Sequence, residues 1–326
     1  MDEDVYMENK LEYEYYSEVT ARNVEWLWYP YIPYGKITLL QGDPGEGKST
    51  FILNLAAIIT RGGILPDGKK LNSMQSVIYQ CAEDNNEDTI KPRLVQAGAD
   101  CSKVAFIIEN DKNVTLDDSR LEEIIIATKA RVLVLDPIQA FIPPESDMQN
   151  AIKMRKIMRH LSDIAEKYNC AVILVGHMNK ASGGKNLYRS LGSIDIAAIA
   201  RSILMIERDI NNPEIRYMFT VKSSLAPEGK AIGFMFNPVY GFQWLGECSR
   251  NNSKIIKKDK KKKKDRAKEL LYMLLSVNDL PSLDVYQRLS KAGISERTVR
   301  NAQKELGIKA YRKQKVWYWH LETKGD

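Results

Sequence analysis

Apolar residues fall in two recurring arrangements along the chain. Short runs at 37–41, 76–81, 104–108, 131–136 and 171–175 are apolar at nearly every position. Between them lie longer stretches of helical period at 51–59, 89–97, 117–129 and 149–167. A run without alternation is what a strand buried on both faces of a parallel sheet produces, and amphipathic helices cover those faces. The later runs at 202–206, 216–221 and 231–236 follow one another with no helical pattern between them. They predict an antiparallel extension of the same sheet, so the expected fold class is α/β with a mainly parallel sheet.

Past a lysine-dense run, 257–264, the pattern changes. Three helical stretches appear at 267–275, 282–292 and 296–306, with Ser295 as N-cap of the third and Gly307 at its end. The segment 309–320 then alternates like a β-hairpin. Three helices and a hairpin form the plan of a winged helix-turn-helix domain, whose third helix would offer Arg297, Thr298, Arg300, Asn301 and Lys304 to duplex DNA. Four divisions follow: a flexible acidic arm at 1–23, a core at 24–248, a lysine-rich linker at 249–265 and a small domain at 266–326. Within the core, the aromatic lead-in at 24–36 leaves two readings open, packing beside a nucleobase or docking at a surface.

Charge sharpens this division. The net charge of +6 conceals 20 Lys+Arg against 9 Asp+Glu from Lys254 onward, and 28 against 33 before it. A near-neutral body with a basic appendage fits a polyanionic partner. The four cysteines are far apart and form no C-x-x-C pair, which argues against a disulfide framework and a cysteine metal site and fits reduced thiols. The start, Met1-Asp2-Glu3-Asp4, carries no apolar signal region, and no apolar run reaches membrane-spanning length. The expectation is a cytoplasmic protein with no membrane partner.

The chemistry concentrates in Gly42-Asp43-Pro44-Gly45-Glu46-Gly47-Lys48-Ser49-Thr50. This G-x-x-x-x-G-K-S spacing sits between a predicted strand and a predicted helix. Glycines let backbone N–H groups curl around phosphate oxygens, and the helix start adds positive potential. Lys48 would reach the β- and γ-phosphates and the Ser49 hydroxyl would hold Mg²⁺. Asp136 ends an apolar strand where open α/β sheets place ligands, and there it is a second candidate for Mg²⁺. The expected cofactors are ATP and Mg²⁺.

Taken with Cys81-Ala82-Glu83-Asp84, Val134-Leu135-Asp136-Pro137, Val175 to Lys180 and Arg189 to Ile194, this loop resembles the RecA-fold ATPases. More closely, the set is similar to the RepA-like and DnaB-like hexameric helicases of plasmids, phages and other mobile elements. The resemblance covers about residues 24–245 and implies a homo-oligomeric ring, a hexamer in that group, passing single-stranded DNA through its core. It implies that Glu83 orients the attacking water, with Asp84 as rival, and that His177 senses the γ-phosphate. The segment 179–189 would be a DNA-contacting loop, with Lys180, Lys185 and Arg189 gripping phosphates. One departure stands out. DnaB-like helicases carry a Lys-x-Arg pair that reaches the neighbouring subunit's ATP, whereas this chain reads Lys222-Ser223-Ser224. Lys222 is then the candidate trans-acting cation, with Arg201 or Arg189 as substitutes. Three functions fit: a replicative helicase, a recombination or repair ATPase that does not unwind, and an ATP-switched DNA-binding regulator.

Overall fold

Tertiary contacts divide the chain into two units, Met1–Ser249 and Arg250–Asp326. The computed structural model describes residues 13–110, 112–144, 151–177, 194–209, 212–237, 241–248, 263–275, 278–291, 294–314 and 316–321. The first unit runs β1 (Trp26–Trp28), β2 (Ile32–Pro33), β3 (Ile37–Gly42), α1 (Lys48–Arg61), β4 (Val77–Cys81), α2 (Lys91–Gln96) and β5 (Val104–Ala105). It continues through α3 (Arg120–Thr128), β6 (Val132–Asp136), α4 (Ala151–Lys167), β7 (Ala171–His177) and α5 (Ile194–Ile199). It closes with β8 (Ser202–Arg208), β9 (Ile215–Ser223), β10 (Ala231–Asn237) and β11 (Gly241–Cys248).

Among the described residues, one nine-stranded sheet has the order β11-β10-β9-β8-β3-β7-β6-β4-β5. Strands β8, β3, β7, β6, β4 and β5 are parallel, and β9, β10 and β11 extend the sheet antiparallel from β8. The central strands sort their side chains by parity. Leu40, Val132, Val134, Ile173 and Val175 face the layer that holds α1, while Leu39, Leu133, Leu135, Val172 and Leu174 face the core with α4. Burial on both faces is why these runs read as apolar without alternation.

Helix α1 is fixed at both ends by glycine in the left-handed region, Gly47 at φ 84° and Gly62 at φ 59°. Its Phe51 is fully buried against Trp28, Phe234 and Trp244, with ring centroids 6.4, 5.3 and 5.1 Å away. Burying a side chain of this size stabilises by about 1.5–3 kcal/mol. The cluster therefore ties the helix of the glycine-rich loop to the antiparallel extension. It also settles the aromatic lead-in differently from either reading of the sequence. Trp28 and Tyr31 are core residues at 0% and 1% exposure, because β1 and β2 fold as a small antiparallel pair over α1.

Several boundaries differ from the pattern. Only Val104–Ala105 of the run 104–108 is strand, because β5 is an edge pairing with β4 alone, and Phe106 and Ile108 are exposed. Helix α3 starts at Arg120, where the Asp118 carboxylate accepts the Arg120 N–H at 2.9 Å. The stretch expected as one helix from 89 opens as a π turn, Asn86–Ile90, with the Asn85 side chain accepting from Glu87 N–H. Strand β11 was not legible in the sequence at all.

The second unit runs α6 (Lys263–Leu275), β12 (Leu280–Pro281), α7 (Ser282–Lys291), α8 (Glu296–Glu305), β13 (Lys309–Lys313) and β14 (Val316–His320), with sheet order β12-β14-β13. Its own core contains Leu271, Val285, Leu289, Val299, Ala302 and Trp319. Ser295 occupies the N-cap of α8 with extended backbone, but its hydroxyl meets the Thr298 hydroxyl at 2.9 Å instead of capping the helix backbone. The lysine run up to 262 lies outside the described residues.

Candidate active site

Strands β3, β7, β6 and β4 are neighbours, and their C-terminal ends are in register: Gly42 opposite His177, and Cys81 opposite Asp136. The chain leaves β3 directly into the loop 42–50, so four separate motifs converge at one end of the sheet. Gly45 and Gly47 hold φ of 79° and 84°, a region that L side chains rarely adopt. At Gly42 a side chain is excluded by packing, since a Cβ there would stand 2.7 Å from the Ile206 carbonyl oxygen.

Lys48 is buried, and its ammonium donates to the carbonyls of Gly42 and Asp43 at 2.9 and 3.0 Å. Burial pulls its pKa down, opposed first by the Asp136 charge. A buried ammonium folded onto neutral carbonyls is the arrangement that gains most from an anion in the loop. The residues thus fit a triphosphate. Asp136 is 4% exposed, and burial raises its carboxyl pKa, while hydrogen bonds from Tyr79 and Ser49 and the charge of Lys48 lower it. The Tyr79 hydroxyl donates to Asp136 Oδ2 at 2.7 Å. The Ser49 hydroxyl and the Asp136 carboxylate are oxygen donors of the kind Mg²⁺ takes.

The two rival acids separate. Asp84 Oδ2 pairs with Arg93 on α2 at 2.9 Å, whereas Glu83 lines the cleft with Oε1 at 3.6 Å from His177 Nε2. His177 Nδ1 is buried with no hydrogen-bond partner, and the Gln139 amide donates to the His177 carbonyl at 3.3 Å. The cleft of about 400 Å³ is bounded on one side by Gly47, Lys48 and Thr50 and on the other by Phe234, Phe236 and Phe242.

Lys222, the candidate trans-acting cation, is engaged within its own chain. Its ammonium donates to the carbonyls of Ala197, Ala198 and Ala200 at 2.9, 3.2 and 2.8 Å. All three N–H donors are engaged at the C-terminal end of α5, where unpaired helix carbonyls attract a cation. Lys180, Lys185 and Arg189 lie outside the described residues. In the second unit Arg297, Arg300, Asn301 and Lys304 are exposed along one stripe of α8, at i, i+3, i+4 and i+7, while Val299 and Ala302 face its core.

Sequence reasoning missed Tyr79, Arg208 and Arg216. Arg208 donates to the Gly45 carbonyl at 2.8 Å and lies 3.7 Å from Glu46. Arg216 is its cross-strand partner and lies beside Gly47, its guanidinium pulled below the usual range by burial and by Arg208. No local spacing marks these residues. Only the pairing of β8 with β9 brings both arginines to the loop.

Sheet order, glycine-rich loop and strand-end carboxylate together define a RecA-like P-loop core. The chain belongs to the AAA domain family, whose model matches residues 12–183. It is similar to the DNA repair protein RadA of Streptococcus pneumoniae, 28% identical over 148 residues, which are 45% of this chain and 31% of the relative. RadA of Mycobacterium tuberculosis is 24% identical over 149 residues, 45% of this chain and 28% of the relative. The chain thus spans less than a third of the length of these relatives. Among solved structures, a KaiC-like protein from Pyrococcus horikoshii covers 65% of this chain and 90% of its own, at 20% identity and TM-score 0.47. A second solved structure, an isolated ATPase domain, covers 65% of this chain and 84% of its own, at 14% identity and TM-score 0.49. No helix among the described residues is long and apolar enough to cross a membrane.

Proposed function

We propose that the chain is a Mg²⁺-dependent ATPase that acts on DNA, a ring-forming helicase or translocase of a mobile genetic element. The observation that carries the hydrolytic part is the convergence of Lys48, Asp136, Glu83 and His177 at adjoining strand ends. Backbone N–H groups of 45–50 and the Lys48 ammonium would hold the phosphates, and Ser49 and Asp136 would hold Mg²⁺. Bound Mg²⁺ supplies charge neutralisation at the phosphate oxygens. Glu83 orients the water and accepts its proton, free to do so because Arg93 holds Asp84 instead. His177 donates toward the γ-phosphate from Nε2 and passes its loss to the chain that follows β7.

The DNA-directed part rests on the second unit. Its α-β-α-α-β-β order and small sheet support a winged helix, and the exposed cationic stripe of α8 supports contact with duplex phosphates and bases. Lys180, Lys185 and Arg189 are proposed to grip single-stranded DNA in the core. The match to RadA favours a second reading, a repair ATPase that binds strands without unwinding them. ATP hydrolysis with and without single-stranded DNA, strand displacement on a forked duplex, and native mass measurement with ATP separate the readings. A closed ring with displacement supports the helicase. Stimulated hydrolysis without displacement supports the repair ATPase, and a DNA-bound monomer with negligible turnover overturns both.

A further inference from the structure

Tyr79 is a buried tyrosine in the middle of β4, at 1% exposure, and no step above uses it. Its parity places it on the α1 side of the sheet, the side on which Val132 and Val134 lead up to Asp136. Its hydroxyl donates to Asp136 Oδ2 at 2.7 Å. A buried tyrosine hydroxyl always seeks an acceptor, so one contact alone would say little. Here the acceptor is the strand-end carboxylate that would hold the metal, and the hydroxyl reaches it from the adjacent strand.

We infer that Tyr79 is a positioning residue for the Mg²⁺ site, an inference that rests on the ATPase reading above. The terminal torsion of an aspartate is broad and roughly two-fold, so an untethered Asp136 carboxylate samples many orientations. Donation from Tyr79 fixes one oxygen, leaving the remaining acceptor capacity for Ser49 and the metal's ligand sphere. Ligands held in this way by outer partners bind metal more tightly than the same ligands left free, by about 10–100-fold. Phenylalanine at 79 would fill the same core volume and leave the carboxylate buried with one donor fewer.

The test uses the full chain and a fluorescent non-hydrolysable ATP analogue, titrated once in EDTA and once in excess Mg²⁺. In Tyr79→Phe the affinity in EDTA stays within about twofold of wild type, and the factor by which Mg²⁺ tightens binding falls about tenfold, the low end of that range. Tyr31→Phe is the control. Tyr31 is equally buried and donates to the Lys230 carbonyl at 2.8 Å, a partner outside the metal pair. Removing its hydroxyl lowers stability in a comparable way and leaves the Mg²⁺ factor unchanged. An unshifted factor in Tyr79→Phe, or an equal shift in Tyr31→Phe, overturns the inference while ATP binding by wild type stands. A wild-type chain that binds no nucleotide under either condition overturns the ATPase reading and this inference together.

Discussion

Replacing Lys222 with methionine separates a structural cation from a catalytic one. The side chain keeps its length and apolar stem but loses the ammonium. Three carbonyls of the α5 C-terminus, Ala197, Ala198 and Ala200, then lose donors at 2.8–3.2 Å. Hydrogen bonds to a charged group contribute about 1.5–3 kcal/mol each when sheltered. A cation at an exposed helix C-terminus contributes only about 0.3–1 kcal/mol. Lys222 is half-buried and water replaces part of what is lost, so the expected cost is about 1–2 kcal/mol for the set. In a unit of this size each kcal/mol lowers Tm by roughly 2–4 °C, giving a fall of about 2–8 °C. The assay is thermal unfolding beside ATP hydrolysis measured well below Tm, with wild type doped by increasing fractions of variant. A structural role predicts lower Tm and hydrolysis that follows the mean of the two proteins. Wild-type Tm with hydrolysis collapsing steeply on doping refutes this reasoning and supports Lys222 as a cation acting across subunits.

Lys48→Ala should bind nucleotide weakly and hydrolyse none; normal turnover would remove the phosphate-loop assignment. Glu83→Gln should retain ATP binding and lose hydrolysis by about 10²-fold or more, while Asp84→Asn keeps most of it, since that acid is already paired with Arg93. Deleting 250–326 should leave hydrolysis without DNA intact and weaken duplex affinity, read by gel shift at stated salt; unchanged affinity would discredit α8 as the DNA contact. The Asp279 carboxyl is held below its usual pKa by hydrogen bonds from Tyr311 and His320. A lowered folded-state pKa stabilises above the unfolded value of about 3.9 and is lost as pH falls through the folded value. Acid unfolding of wild type should therefore fall more steeply below about pH 4 than that of Asp279→Asn, and parallel curves would count against the contact.

The resemblance names Glu83 as the water-orienting acid, with Asp84 beside it as rival. What the sequence does not show is the difference in their partners: Arg93 of α2 pairs with Asp84, while Glu83 faces His177. The aromatic lead-in was ambiguous for a similar reason. Its residues carry no period, and their burial depends on the antiparallel strands that Phe234 and Trp244 bring over α1. Short edge elements, β5 above all, were overextended because an apolar run does not reveal whether a neighbouring strand exists on both sides.

Features contiguous in the chain were readable from the chain alone. A phosphate loop lies within nine consecutive residues, and a strand buried on two faces or a helix with one apolar stripe is written in its own period. Pairing across elements came from the fold. Tyr79 meets Asp136 at a separation of 57 residues, Arg208 meets Gly45 at 163, and Lys222 meets the carbonyls at the end of α5 at 22–25. These partners are set by sheet order, register and the parity of each strand. None of those three is a property of any local window. A hydrogen bond reaches about 3 Å while its two ends can stand anywhere along the chain, so only the folded arrangement selects them.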